Sequence, residues 1–150
     1  MNRTSVTEKL TRALDKLVRD DAYLLEIDAN ERSISHRLAV YLESEFTEWN
    51  IDCEYNRNIE DPKRLNIDSI RTDSTDTQGR TVFPDIIVHV RGQANNLLVI
   101  EMKKTSSVVS DDFDYAKLDA FRREFGYQHA AFVKVITRSK TVGYEPIVWF

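Results

Sequence analysis

A mixed α/β fold, with a mixed central β-sheet flanked by helices, follows from three observations on this sequence. Two amphipathic helical stripes open the chain. Two strongly apolar, alternating segments are joined by a short turn, and a further helical stripe separates them from two final strand-like runs. The order of two helices, three strands, one helix and two strands suits a sheet with helices packed on it.

Each element has its own signal. From Thr7 to Leu25 the apolar residues Leu10, Leu14, Leu17 and Val18 recur at three- and four-residue spacing, with Lys and Arg on the other face. Asp28, with Glu31 three positions later, has the form of a capping box opening a second helix, whose stripe is Ile34, Leu38, Tyr41, Leu42, Phe46 and Trp49. Ile51 to Tyr55 alternates as a short strand. Residues 58–80 are polar, with only Leu65, Ile67 and Ile70 suited to packing, which predicts an irregular excursion. Val82 to Arg91 and Asn96 to Lys103 are the clearest strands, joined across Gly92 to Asn95 by a tight hairpin. Ser110 is placed to cap a helix through Phe125, with Ala116, Leu118, Phe121 and Phe125 inward and Gly126 as its stop. His129 to Thr137 and Pro146 to Phe150 complete the pattern.

Composition narrows the function classes. The 150 residues carry no repeat and no Pro-rich or Gly/Ser-rich linker, so one domain, 1–150, is expected. The 21 Lys and Arg against 25 Asp and Glu give a net charge of −4, unlike the strongly basic surface of a dedicated nucleic-acid binder. Carboxylates committed to a cation nevertheless lower the formal charge without repelling a phosphate. Cys53 stands alone, no Cys/His cluster has zinc-ligand spacing, and the amino terminus lacks a following apolar stretch. The longest apolar runs fall far short of the ~20 residues of a membrane span. A cytoplasmic setting without a membrane is the expectation.

The residues with chemistry lie on the hairpin. Side chains alternate along a strand, so Glu101 and Lys103 project from one face and Ile100 and Met102 from the other. A hairpin centred on Ala94 would set Asp85 opposite Lys103 and Ile87 opposite Glu101, so that Asp85, Glu101 and Lys103 converge at one end of the ribbon. Two carboxylates on adjacent strands form a hard oxygen site suited to Mg²⁺, with Mn²⁺ as an alternative. Such an ion polarises a phosphate and activates water, and an adjacent lysine offsets charge in the transition state.

Pro84-Asp85 followed by Glu101-Met102-Lys103 on the next strand resembles the signature of the PD-(D/E)xK nuclease superfamily, which has the restriction-endonuclease-like fold. The order of elements is similar as well, and the resemblance runs from about Glu31 to Thr137, leaving the 1–25 segment as an N-terminal helical addition to an αβββαβ core. It implies Asp85 and Glu101 as metal ligands and Lys103 as the catalytic lysine. It further implies Glu31, on the helix before the strands, as another metal ligand, and Lys117, on the helix after them, as a secondary candidate.

Blander readings stand beside these. Asp85 and Glu101 also read as carboxylates at the sheet rim with Lys103 as a solvated partner, and Glu31 as a helix cap. His36 reads as surface, and His89, on the face of Asp85 but further along, as packing or as a further site residue. Arg57, Lys63, Arg64 and Arg80 around the polar excursion, with Lys104, are candidates for phosphate contacts. The expected function is a metal-dependent nuclease hydrolysing phosphodiester bonds, with DNA preferred over RNA. The alternatives are a catalytically silent binding or scaffold module of the same fold in a defence or repair complex, and a phosphoesterase acting on nucleotides. Trp149 and Phe150 at the chain end leave room for a homodimer or a partner protein.

Overall fold

The computed structural model describes residues 1–55 and 83–150 in full and, between them, the backbone of 57–58, 61–62, 64–65 and 80–81. In chain order the helices are α1 (Arg3–Asp20), α2 (Ala22–Glu26), α3 (Glu31–Glu45) and α4 (Asp112–Phe125). The strands are β1 (Asn50–Cys53), β2 (Arg57–Asn58), β3 (Asp61–Pro62), β4 (Arg64–Leu65), β5 (Arg80–Thr81), β6 (Ile86–Val90), β7 (Asn95–Lys104), β8 (His129–Ile136), β9 (Gly143–Tyr144) and β10 (Val148–Trp149). The rest of the expected 58–80 excursion lies outside the described residues.

The expected mixed α/β class is the one found. The main sheet runs β1-β6-β7-β8-β10, with β9 paired to β8. β6 and β7 form the antiparallel hairpin, while β7 and β8 are parallel, an arrangement that needs a crossover and receives it in α4. Among the described residues no helix is long and apolar enough to cross a membrane.

Two cores enclose the sheet. On one face Val6, Leu10, Leu14 and Leu17 of α1 and Ile34, Leu38 and Leu42 of α3 pack on Ile86, Val88, Ile100, Met102 and Val133. On the other, Leu118, Ala120 and Phe121 of α4 cover Ile87, Val99, Ala130 and Phe132. The alternation of β7 divides its residues between these layers. Since α1 supplies fully buried side chains to the first core, the amino-terminal helix is part of the domain's interior.

Helix boundaries differ from the sequence expectation. The first helix begins at Arg3, because the Asn2 side chain accepts from the Ser5 N–H, and it breaks at Asp21 before the short α2. The second is capped by Asn30, whose side chain accepts from the Ser33 N–H, and not by Asp28. Asp28 stands outside the helix at φ +57, in the left-handed region, where its carboxylate serves other partners. The residue at the N-cap position of α4 is Asp111 and not the expected Ser110, whose hydroxyl stands one position earlier and accepts from the Asp112 N–H, while Gly126 ends that helix in the left-handed conformation as expected.

The hairpin register also differs. Ile86 pairs with Ile100, Ile87 with Val99 and Val88 with Leu98, and a bulge then shifts the pairing to His89 with Asn96. Extended by one residue, the register sets Asp85 opposite Glu101, two positions from the expected partner Lys103. A shift of two preserves the faces. Leu38, fully buried between α1 and the sheet, tests the first core: Leu38→Ala is expected to cost about 2–5 kcal/mol in a urea unfolding titration.

Candidate active site

The site begins where β6 ends. β7 continues four residues beyond Ile100, and there it keeps β8 on one side but has lost β6 on the other. The Thr105 N–H donates to Val135 O of β8 at 2.8 Å, so the N–H groups of even-numbered residues point to the open side. Two carboxylates take them. Asp85 Oδ2 accepts from the Met102 N–H at 2.8 Å, and Glu31 Oε2 from the Lys104 N–H at 2.9 Å. Asp85 is the first residue short of β6, and Glu31 is the first of α3. Neither orientation is incidental, because a buried backbone N–H without an acceptor is costly.

Glu101 adjoins Asp85 from inside the protein. It is 1% exposed, and its Oε1 accepts from the Asp85 N–H at 3.4 Å. Its Oε2 accepts from Lys117 Nζ of α4 at 2.9 Å. Asp85 and Glu31 line a cleft of about 740 Å³ together with Arg32, Ser35 and His36 of α3, Cys53 at the end of β1 and Glu54 after it. His36 is thus a cleft residue, although its sequence position suggests no more than surface. Arg32 forms an exposed pair with Glu54 at 3.0 Å.

Burial sets the electrostatics. It raises the Asp85 carboxyl above the ordinary carboxylate range, against the Met102 N–H and the Lys117 charge. Glu101 is raised further, first by burial and then by the Asp85 charge, with Lys117 opposing. Burial works against the Lys117 ammonium, yet Glu101 and Asp85 outweigh it and hold the proton on the lysine. Two carboxyl groups and one ammonium therefore share a buried region that, fully ionised, carries one negative charge in excess.

That donor chemistry fits a hard divalent cation, which binds carboxylate oxygens and offsets such an excess. Among the described residues no group of three His, Cys, Asp or Glu side chains is gathered as a ready-made cage. Asp85 and Glu101, with Glu31 across the cleft, are the residues that would hold the ion, leaving its remaining positions to water and phosphate oxygens.

The other expected site residues are distributed differently. Lys103 shares the face of Glu101, but its Nζ turns away to Asp114 Oδ2 at 2.7 Å and to the carbonyl of Ser110 at 2.8 Å. The ammonium at the carboxylates is that of Lys117. Lys104 is no free phosphate contact, since its Nζ reaches both Oδ1 and the carbonyl of Asp28 at 3.2 Å. Hydrogen bonds from Ser106 and Thr137, then the Lys104 ammonium, hold the Asp28 carboxyl well below the usual range. His89 packs with Tyr55 and bonds Asp52 Oδ2 through Nε2 at 2.7 Å, four residues along β6 from Asp85, and Arg91 also grips Asp52. The side chains of Arg57, Arg64 and Arg80, and Lys63 altogether, lie outside the described residues.

The placement of the Lys103 ammonium had a sequence signal. Asp114 and Lys117, three apart on α4, repeat the acid-then-lysine order of Glu101 and Lys103 on β7, and a crossover helix running back against its strand sets each lysine beside the other element's acid. No family model matches the chain, and neither a curated protein nor a solved structure matches it.

The raised carboxyls fix a sign. A group whose folded pKa exceeds its unfolded value disfavours folding above that range and releases the penalty as pH falls toward the ordinary carboxylate pKa of about 4. Asp85→Asn keeps an acceptor for Met102 and leaves Glu101 and Lys117 as a neutral pair. It is expected to raise the melting temperature at pH 7 and to flatten the dependence of stability on pH between 7 and 5, both read by calorimetry. An unchanged or lower melting temperature at pH 7 would contradict the excess-charge account.

Proposed function

We propose that this chain is a divalent-metal-dependent nuclease that hydrolyses phosphodiester bonds, with DNA as the preferred polymer. The observation that carries the reading is the junction of Asp85, Glu101 and Lys117 at the open edge of β7, beside a cleft lined by Asp85 and Glu31. The Pro84-Asp85 and Glu101-Met102-Lys103 resemblance supports it from the sequence side.

Each side chain then has a task. Asp85 and Glu101 would hold Mg²⁺, or Mn²⁺, and Glu31 would face them over the cleft. When bound, the ion supplies Lewis acidity at the phosphate and a water of lowered pKa. Lys117 holds Glu101 in one orientation and would offset charge on a phosphate bound beside them. Arg32 and His36 stand one turn apart on the cleft wall, and Arg32 would have to exchange Glu54 for a phosphate to contact the polyanion.

The sequestration of Lys103 favours one competing reading, a catalytically silent module that binds a metal and partners without turnover. A single assay separates the two: cleavage of circular duplex, linear duplex, single-stranded DNA and RNA with Mg²⁺ or Mn²⁺. Wild type is expected to cleave DNA, and Asp85→Asn, Glu101→Gln and Lys117→Met each to lose about 100-fold or more in rate with the circular dichroism spectrum kept. Cleavage that survives Asp85→Asn and Glu101→Gln would remove the site from the chemistry. Calorimetric Mn²⁺ binding by a wild type that cuts none of the substrates would favour the silent module.

The metal reading has its own pH signature. Because the carboxyls titrate above the ordinary range and must ionise to bind a cation, Mn²⁺ affinity is expected to rise with pH beyond that range and binding to release protons. Titrations in two buffers of different ionisation enthalpy measure the release.

A further inference from the structure

The Glu-x-Lys pair of β7 meets an Asp-x-x-Lys pair on α4, which runs in the opposite direction. Glu101 and Lys103 stand about 6.7 Å apart along one face of the strand. Asp114 and Lys117 stand about 4.5 Å apart along one face of the helix. The pairs cross-match, with Lys103 Nζ to Asp114 Oδ2 at 2.7 Å and Lys117 Nζ to Glu101 Oε2 at 2.9 Å.

Lys103 is held by more than Asp114. Its Nζ also donates to Ser110 O at 2.8 Å and Val109 O at 3.2 Å, and Asp111 Oδ1 lies at 3.4 Å. An ammonium has three donors, and here four oxygens from residues 109–114 surround it. Lys134, the register partner of Lys103 on β8, reaches Asp111 Oδ2 at 2.6 Å. Two lysines on neighbouring strands thus grip the start of α4 from the sheet.

The grip has work to do because the connection lacks an apolar anchor. Val108 is 99% exposed and Val109 65%, so neither ties the β7–α4 connection to the core. Asp111 precedes α4 without a side-chain cap bond of its own. Tyr115 of the first turn packs on Phe132 and Phe150, and ahead of it residues 109–114 are tied to the sheet by Lys103 and Lys134.

We propose that Lys103 is a positioning residue: by fixing residues 109–114 against β7 and β8 it sets α4 on the sheet and so holds Lys117 against Glu101. The proposal deepens the nuclease reading and rests on it for the chemical role of Lys117, while its geometry is tested without cleavage. A direct role for Lys103 at a phosphate would require Nζ to leave four oxygens. Lys117, by contrast, has Glu101 as its one hydrogen-bond partner among the described residues.

The test follows the ε-methylene signal of Lys117 by NMR in ¹³C-lysine-labelled protein, assigned by its disappearance in Lys117→Met. Its ammonium lies 2.9 Å from Glu101 Oε2 of β7, so NOEs between the Lys117 ε-methylene and the Glu101 side chain are the signal that reports the seat of α4 on the strand. Lys103→Met is expected to abolish these NOEs, and Lys103→Arg, which can regrip Asp114, to restore them. Cleavage should follow the same order, with Lys103→Met losing as much rate as Lys117→Met and Lys103→Arg recovering most of it. Unchanged Lys117–Glu101 NOEs in folded Lys103→Met overturn the proposal, and lost cleavage beside them would mark Lys103 as acting on the substrate itself. If Lys103→Met does not fold, Asp114→Ala loosens the grip from the helix side and is held to the same signal. A wild type without cleavage would sink the nuclease reading and leave the NMR comparison to decide the positioning role alone.

Discussion

The organising constraint is the unequal length of the two hairpin strands. β6 starts at Ile86, opposite Ile100, whereas β7 runs on to Lys104. That leaves Met102 and Lys104 with N–H groups directed at no strand, close to a core that excludes water. Carboxylates accept more strongly than neutral groups, and Asp85 and Glu31 are drawn to these two donors from different elements. The edge left open in the sheet is therefore what brings acidic side chains from the β6 approach and the α3 start to one cleft. Glu101, emerging from the same stretch of β7, joins them because alternation turns it toward α4.

Much of this was legible in the sequence because it depends on parity. Placing Asp85 and Glu101 together requires only that their strands be antiparallel and that both residues fall on the same face. The actual register differs by two from one centred on Ala94, and the period of the pleat absorbs that error. The bulge between Val88 and His89 is part of that agreement: the turn-end pairing of His89 with Asn96, carried on unbroken, would set Asp85 opposite Ile100 on the wrong parity, and the one-residue shift at the bulge sets it opposite Glu101.

Other features depended on quantities that no spacing encodes. A lysine side chain reaches far enough to choose among partners several ångströms apart, so knowing that Lys103 shares a face with Glu101 does not say where its ammonium goes. The choice is made by the carbonyls of Val109 and Ser110 and by Asp114, whose arrival depends on how the β7–α4 connection returns. Asp28 misled for a related reason. An aspartate three residues before a glutamate has the pattern of a capping box, but Asn30 is equally able to cap and sits one residue before Glu31. Asp28 instead gathers Ser106, Thr137, Lys104 and Arg138, contacts that span more than seventy residues of sequence.

The buried charges bear differently on folding and on function. Asp85 and Glu101 so close together cost stability, and Lys117 returns only part of it, since one ammonium faces two carboxyl groups. A core selected for stability alone would replace the trio with apolar residues of similar volume. Keeping it gives the protein two carboxyls held at fixed places, one by a backbone N–H and the other by an ammonium, so that, on the proposed reading, little ordering would remain for a cation or phosphate to impose. Lys103 and its four oxygens belong to the same economy, because they stabilise the placement of α4 without adding charge to the cleft. In this arrangement the lysine of the strand supports the lysine of the helix, and the residue that matches a short motif by spacing need not be the one that meets the substrate.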